Sequence, residues 1–364
     1  MTQTTEPPVH DDFACEQCGS ILEFKPGAGL MVCPSCGFEN AMPDTDDEVE
    51  ELDFHEAFGA LEEGDEGEDV FAVTCPTCGA ELEREVDVSS EDCPFCGVTI
   101  VAAGGSTRKL KPGSLLPFKV ERLEARKWFQ QWVAKRWFAP NDFKARARLD
   151  TKLTGMYVPH WTYDAEASTE YNGLRGTYYY VPVTVSTGKG TTTTMQRRTA
   201  WSPVSGVVGN KFDDLLILAS HSLPTSYMEK LEPWDLTNLV PFQPEYLSGF
   251  RAESYQVDLE EGFTEARQRW NQPIRATIRM DIGGNEQRIS NMHSTFSNIT
   301  FKHILLPVWI STYRFKNKPY RFLVNARTAE VQGERPYSYI KIGLAIAGAL
   351  SSVGGAIAAF MLLA

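Results

Sequence analysis

"CEQCGSILEFKPGAGLMVCPSCG", residues 15–37, sets two Cys-x-x-Cys pairs fourteen residues apart: Cys15 and Cys18, then Cys33 and Cys36. Sixty positions on, "CPTCGAELEREVDVSSEDCPFCG", residues 75–97, repeats the spacing with Cys75, Cys78, Cys93 and Cys96. These are all the cysteines of the chain, and Gly19/Gly79, Leu22/Leu82, Glu23/Glu83, Pro34/Pro94 and Gly37/Gly97 repeat with the same offset, the mark of an internal duplication. A Cys-x-x-Cys turn puts two thiolates on one side of an ion, and the glycine after it lets the backbone fold back toward the sulfurs. A second turn, delivered by a short hairpin, completes a tetrahedral Zn²⁺ shell. Four sulfurs leave no position for water or substrate, so the spacing predicts two structural sites, whose binding energy of about 10–16 kcal/mol folds units too small for a core of their own. A disulfide framework would need an oxidising compartment, and "MTQTTEPPVHDDF" at the start has neither the basic nor the apolar region of a secretion signal. A dithiol redox site would not need four pairs in two matched sets.

The ribbons, expected over 11–43 and 70–103, are acidic, with Lys25 the one cation of the first and Arg84 that of the second. Phosphate binding runs on Lys and Arg, so they favour protein contact over nucleic acid. Between them, 44–69 carries 14 acidic residues and no Lys or Arg. This stretch reads as a self-repelling flexible linker. The alternative is an acidic peptide that docks on a basic partner through Leu52, Phe54, Phe58 and Leu61. The net charge of −13 is carried by this stretch, and the rest of the chain is about neutral.

From 107 to 335 cysteine disappears and Trp and Tyr become frequent. Helical spacing runs through Ala125, Trp128, Phe129, Trp132, Val133 and Trp137, and again through Phe263, Ala266 and Trp270, with Pro140 and Pro273 expected as stops. Residues 119–152 hold ten Lys or Arg against four acidic residues. That face can be the solvated side of a core helix, a contact for anionic lipid, or a contact for nucleic acid. Strands flank "TGKG" (187–190) and Lys316–Lys318 as two hairpins. "LLPF" (115–118) and "LVPF" (239–242), then "YVPHW" (157–161) and "LLPVW" (305–309), suggest a duplicated body.

After Lys341, 23 residues carry no charge. As a helix they would reach about 34 Å, enough to span a membrane, with Arg335 and Lys341 on the cytosolic side. Gly343, Ala347, Ser351 and Gly355 recur every four residues and could pack a homo-oligomer through this helix. The fold expected is therefore multi-domain: two small all-β zinc ribbons, a duplicated α+β body with two antiparallel sheets or, as the alternative, one larger sheet with helices on one face, and one C-terminal transmembrane helix over 340–364.

No phosphate loop, Gly-x-Ser-x-Gly or His-Glu-x-x-His is present. His160, His293 and His303 read as packed or surface residues, and adjacent Asp213 and Asp214 would point to opposite faces of a strand. No enzyme is expected.

The paired ribbons, "LPF", "YVPHWTYDA" (157–165), "FDDLLILAS" (212–220), "LVPFQPEYLSGFRAESY" (239–255) and "FKHILLPVWISTYRFKNKPYRFLVNARTAEVQGERPYS" (301–338), followed by an apolar end, resemble a family of bacterial zinc-ribbon membrane proteins. Members are often labelled a TFIIB-type zinc ribbon or a primosomal replication-factor-Y type of helicase. The helicase label rests on the ribbon alone, and this chain lacks the phosphate loop. The resemblance implies companions of SPFH (band-7) and PspA-type membrane-stress proteins. It implies an adaptor at the inner membrane, N-terminal domains cytosolic, recruiting protein partners and touching lipid. The competing expectation is a nucleic-acid-binding ribbon protein of replication or transcription.

Overall fold

The computed structural model describes residues 13–43, 45–63, 67–83, 91–100, 105–149, 153–187, 190–315 and 318–363. In chain order these form β1 (Glu23–Lys25), β2 (Leu30–Val32), β3 (Glu39–Ala41), β4 (Leu52–Asp53), α1 (Phe54–Glu63), β5 (Glu68–Thr74), β6 (Glu81–Glu83), β7 (Glu91–Asp92), β8 (Thr99–Ile100), β9 (Gly105–Lys109) and β10 (Ser114–Leu115). Then follow α2 (Arg122–Lys135), α3 (Asn141–Leu149), β11 (Thr154–Thr187), β12 (Gly190–Leu218), α4 (Thr225–Met228), β13 (Val240–Pro241), β14 (Arg251–Ala252), α5 (Leu259–Ile282), β15 (Glu286–Phe315), β16 (Lys318–Asn325), β17 (Val331–Gly333) and α6 (Tyr339–Leu363).

The body is one nine-stranded sheet, the alternative rather than the two sheets first expected, with β12, β11 and β15 side by side as very long antiparallel strands. The two related halves cannot form separate sheets because their own strands pair. "YVPHW" on β11 lies antiparallel to "LLPVW" on β15 (Tyr157 opposite Pro307), and β10 pairs β13 (Leu115 opposite Val240). The halves meet like partners about a local two-fold. Trp161 Nε1 donates to the carbonyl of Val257, just before α5 (2.9 Å), and Trp309 Nε1 donates to Val120, just before α2 (2.8 Å).

Burial along β11 falls in three steps. Gly155–Asp164 is buried on both faces, Ala165–Tyr171 alternates buried and exposed, and no described side chain from 177 onward is buried. The pleat explains this, since odd and even residues of a strand face opposite sides. Tyr157, Leu305, Trp309, Phe322 and Val324 face the first ribbon, α2 and α3. Met156, Val158, Val308, Ile310 and Leu323 face the second ribbon and α4. The ribbons clamp the sheet from opposite sides. Farther along, α5, with α1 packed beside it, covers one face, and beyond them nothing described does.

Helix α5 starts on a cap, with Asp258 Oδ1 accepting from Glu261 N at 2.7 Å, and runs through Pro273 rather than stopping there. Pro273 faces solvent, so water can satisfy the Arg269 carbonyl it frees, while Trp270, Ile274, Ile278 and Ile282 extend a buried stripe on the sheet. In α2, Ala125, Phe129 and Val133 are buried and Trp128 is exposed, as is Trp137 just past its end.

Two further expectations change. Part of the acidic linker is ordered on the body. β4 pairs β15 (Thr300 opposite Asp53), Asp53 Oδ1 caps α1 through His55 N and Glu56 N, and Phe54 seats its ring 4.6 Å from that of Phe263. Of the four apolar residues considered for docking, Phe54 is buried in the chain's own core with Phe58 and Leu61 packed against it, whereas Leu52 is exposed.

The transmembrane helix is corrected as well: among the described residues no helix is long and apolar enough to cross a membrane. The described side chains of α6 run from Tyr339 to Val353. Within that span lie Lys341, tied to Ala139 O and Asn141 Oδ1 (both 2.8 Å), and Ser351 and Ser352. The inner-membrane placement built on that anchor falls with it.

Candidate metal centres

Each quartet is built from two copies of one backbone turn. Gly19 N donates to Cys15 O, Gly37 N to Cys33 O, Gly79 N to Cys75 O and Gly97 N to Cys93 O, all at 2.8–2.9 Å. All four glycines hold φ between +67° and +76°, a conformation side chains resist. The turns bring the sulfurs together. Cys15–Cys36 and Cys18–Cys33 Sγ atoms lie 3.7 and 3.4 Å apart, Cys75–Cys96 and Cys78–Cys93 3.6 Å each. A tetrahedron with Zn–S near 2.3 Å has edges of about 3.8 Å. The two clusters can therefore hold two metal ions, and their donor set fits zinc.

Ligation needs thiolates. Hydrogen bonding, first from the Ser20 side chain, holds Cys18 down to about 6, and the contact with Cys93 holds Cys78 down to about 5. In the first quartet Cys33 is lowered too, chiefly by a hydrogen bond from the backbone of Cys36. The same contact, and then burial, push Cys93 up.

The quartets differ in shelter. Cys18 and Cys36 are exposed, whereas Cys75, Cys93 and Cys96 are buried and Cys78 is half-buried. The second ribbon is pinned by Thr312 Oγ1 to Pro94 O (2.7 Å), Gln256 Nε2 to Gly79 O (2.6 Å) and Ser254 N to Glu81 O (3.0 Å). A strong chelator should therefore remove metal in two phases, the first quartet's ion leaving at least tenfold faster. A colorimetric zinc-release trace on parent and Cys18→Ser protein checks this, since the variant should lack the fast phase.

Under the second ribbon, Glu253 is fully buried, bridged to Leu82 through the backbone and accepting from Ser220 Oγ at 2.8 Å. Burial pushes its carboxyl up to about 8, against the lowering effect of Ser222 and Ser220. An unfolded Glu loses its proton near pH 4.3, so between there and about 8 the folded state binds more protons and stability falls as pH rises. Glu253→Gln should remove that slope, at most about 1.4 kcal/mol per pH unit, and be the more stable protein above about pH 8. Urea titrations at several pH values read this directly.

A third group escaped the sequence reading: Glu51, Asp164 and Asp214 converge from the acidic stretch, β11 and β12. A bulge opens where β11 passes from Tyr163 to Ala165, and Asp214 takes φ 49°, which turns its carboxylate inward. The group is not a metal site. The Lys302 ammonium occupies its centre, 2.8 Å from Glu51 Oε1, 2.7 Å from Asp214 Oδ1 and 4.0 Å from Asp164 Oδ2. It locks the acidic stretch to the sheet.

His160 and His303 are buried and packed, each pushed down to about 4 by burial, with Nδ1 3.0 Å from the carbonyls of Val158 and Leu110. His293 is exposed on β15.

No family model matches this chain, and no solved structure does. It is 28% identical over 339 residues to the uncharacterized protein YdjG of Bacillus subtilis (strain 168), an alignment covering 92% of this chain and 93% of that protein. The likeness thus runs through ribbons and body together.

Proposed function

We propose that the chain is a non-enzymatic scaffold, stapled by two structural zinc ions, that brings protein partners together. One observation carries the reading: each four-sulfur cluster is rooted in the core on its own side of the sheet, through Cys15 and Cys33 on one and Cys75, Cys93 and Cys96 on the other, so a bound ion holds ribbon to body, and four sulfur ligands leave it no position for substrate. The resemblance to companions of band-7 and PspA-like proteins makes such proteins the first partners to seek. The ribbons lend little to a nucleic-acid role, because their surfaces are acidic.

The test is purification of the full chain under mild conditions after cross-linking, with mass spectrometry of what comes with it, beside a Cys75→Ser control. A defined protein partner, lost in the control, is expected. Recovery of replication or transcription machinery that disappears on nuclease treatment would replace this reading with the nucleic-acid one.

A further inference from the structure

The sheet outruns its cover. β15 begins at Glu286, opposite Gly176, and from Thr177 opposite Ala200 to Thr187 opposite Gly190 only β11 and β12 continue. A bare two-stranded ribbon is marginal in water. This one also exposes apolar side chains on both faces: Tyr180 at 61% and Met195 at 63%, which fall on one face, and Tyr179 and Val185 on the other. Pro182 on one edge, and Pro203 at the root of the other, interrupt the ladder and disfavour addition of a further strand, so the faces are what the arm offers.

Its charge is single-signed. Between 177 and 200 stand Lys189, Arg197 and Arg198 and no Asp or Glu. Arg197 lies over the Tyr178 ring (4.2 Å), and neither Arg197 nor Arg198 makes an ion pair among the described residues.

The complement is on the same chain but out of reach. In the acidic stretch Asp46, Asp47, Glu48, Glu50 and Glu56 are exposed and make no ion pair among the described residues. β4 fixes this stretch at Thr300–Phe301 of β15, which lies opposite Tyr163–Asp164 of β11. From there to Tyr180 is sixteen residues of strand, about 50 Å, several times the Debye length of about 8 Å. One molecule cannot bring its arm to its own acidic stretch.

We propose that the arm docks on the acidic stretch of a second copy of this chain, and that the two copies lie antiparallel so that both contacts form at once. A two-fold arrangement closes on itself and covers both arms. Two dozen arm residues match the 20–30 residues a side of a standard interface. The inference goes beyond the scaffold reading and stands on charge layout whether or not other partners bind.

Sedimentation equilibrium of the metal-loaded full chain tests it, at about 50 mM and about 1 M salt. The parent should show twice the 40.7 kDa chain mass at low salt and fall to monomer at high salt. Arg197→Glu/Arg198→Glu should be monomeric at low salt, as should Asp46→Lys/Asp47→Lys/Glu48→Lys/Glu50→Lys. An equimolar mixture of the two variants should recover the dimer, because each reversed surface then meets an opposite one. All these positions are exposed, and unchanged circular dichroism and zinc content verify folding. Three results overturn the proposal. One is a parent that is monomeric at low salt. Another is a dimer indifferent to salt and to both reversals, as association through the exposed apolar side chains of α6 would be. The third is an arm that retains nucleic acid until nuclease treatment.

Discussion

Cys93→Ser is expected to unfold the body together with its ribbon. Cys75 and Cys93 are each 1% exposed and share one core with Met156, Val158, Leu218, Val308, Ile310 and Leu323. Losing one thiolate removes most of the metal's contribution, on the order of 10 kcal/mol for such a site, while a whole domain is typically stable by only about 5–15 kcal/mol. The ribbon's hydrogen bonds to Thr312, Gln256 and Ser254 would go with it. Circular dichroism melting, with zinc quantified on the same sample, should reveal a collapsed or absent transition. A variant that binds one zinc and melts within a few degrees of the parent would mean the ribbon only rests on the sheet. Cys18→Ser, at an exposed sulfur, should lose one ion and keep the second ribbon's transition.

Trp309→Ala should be the costliest single truncation on the other face, about 3–5 kcal/mol. The indole is 2% exposed, stacks edge-on to Phe118 at 5.1 Å and Phe250 at 5.9 Å, and lies under the Arg122 guanidinium at 5.5 Å. Its Nε1 is the donor to the Val120 carbonyl, which truncation would strand at the start of α2. Trp309→Phe separates the two contributions, since it keeps most of the packing and loses the hydrogen bond, for about 1 kcal/mol plus a partial cavity. Trp137→Ala, at an exposed site, should stay within about 0.5 kcal/mol. Urea unfolding of the three variants ranks them. Equal losses at 309 and 137 would refute the assigned packing.

The cysteine pairs, their glycines, α2, the start of α5 and the two hairpins could be read from residues alone. Each depends on groups a few positions apart, so spacing carries the geometry: Cys-x-x-Cys-Gly writes the same turn four times, and Asp258 caps α5 three residues ahead. The sequence also displayed the repeated motifs of the two halves. It could not say that those halves share one sheet, because pairing Tyr157 with Pro307 is a choice among registers that no local signal ranks.

Tertiary structure alone decided the rest. The ribbons sit on opposite faces because residues 155–164 of β11 present apolar side chains both ways, and each face needs its own cover. Pro273 reads as a stop until the isoleucine stripe beyond it finds the sheet. The acidic stretch reads as a free linker until Phe54 and Lys302 show where its described part is anchored. An apolar C-terminal run reads as a membrane span by composition, whereas among the described residues no helix is long and apolar enough to cross a membrane. Local chemistry fixed the metal turns, and long-range burial fixed where they were placed.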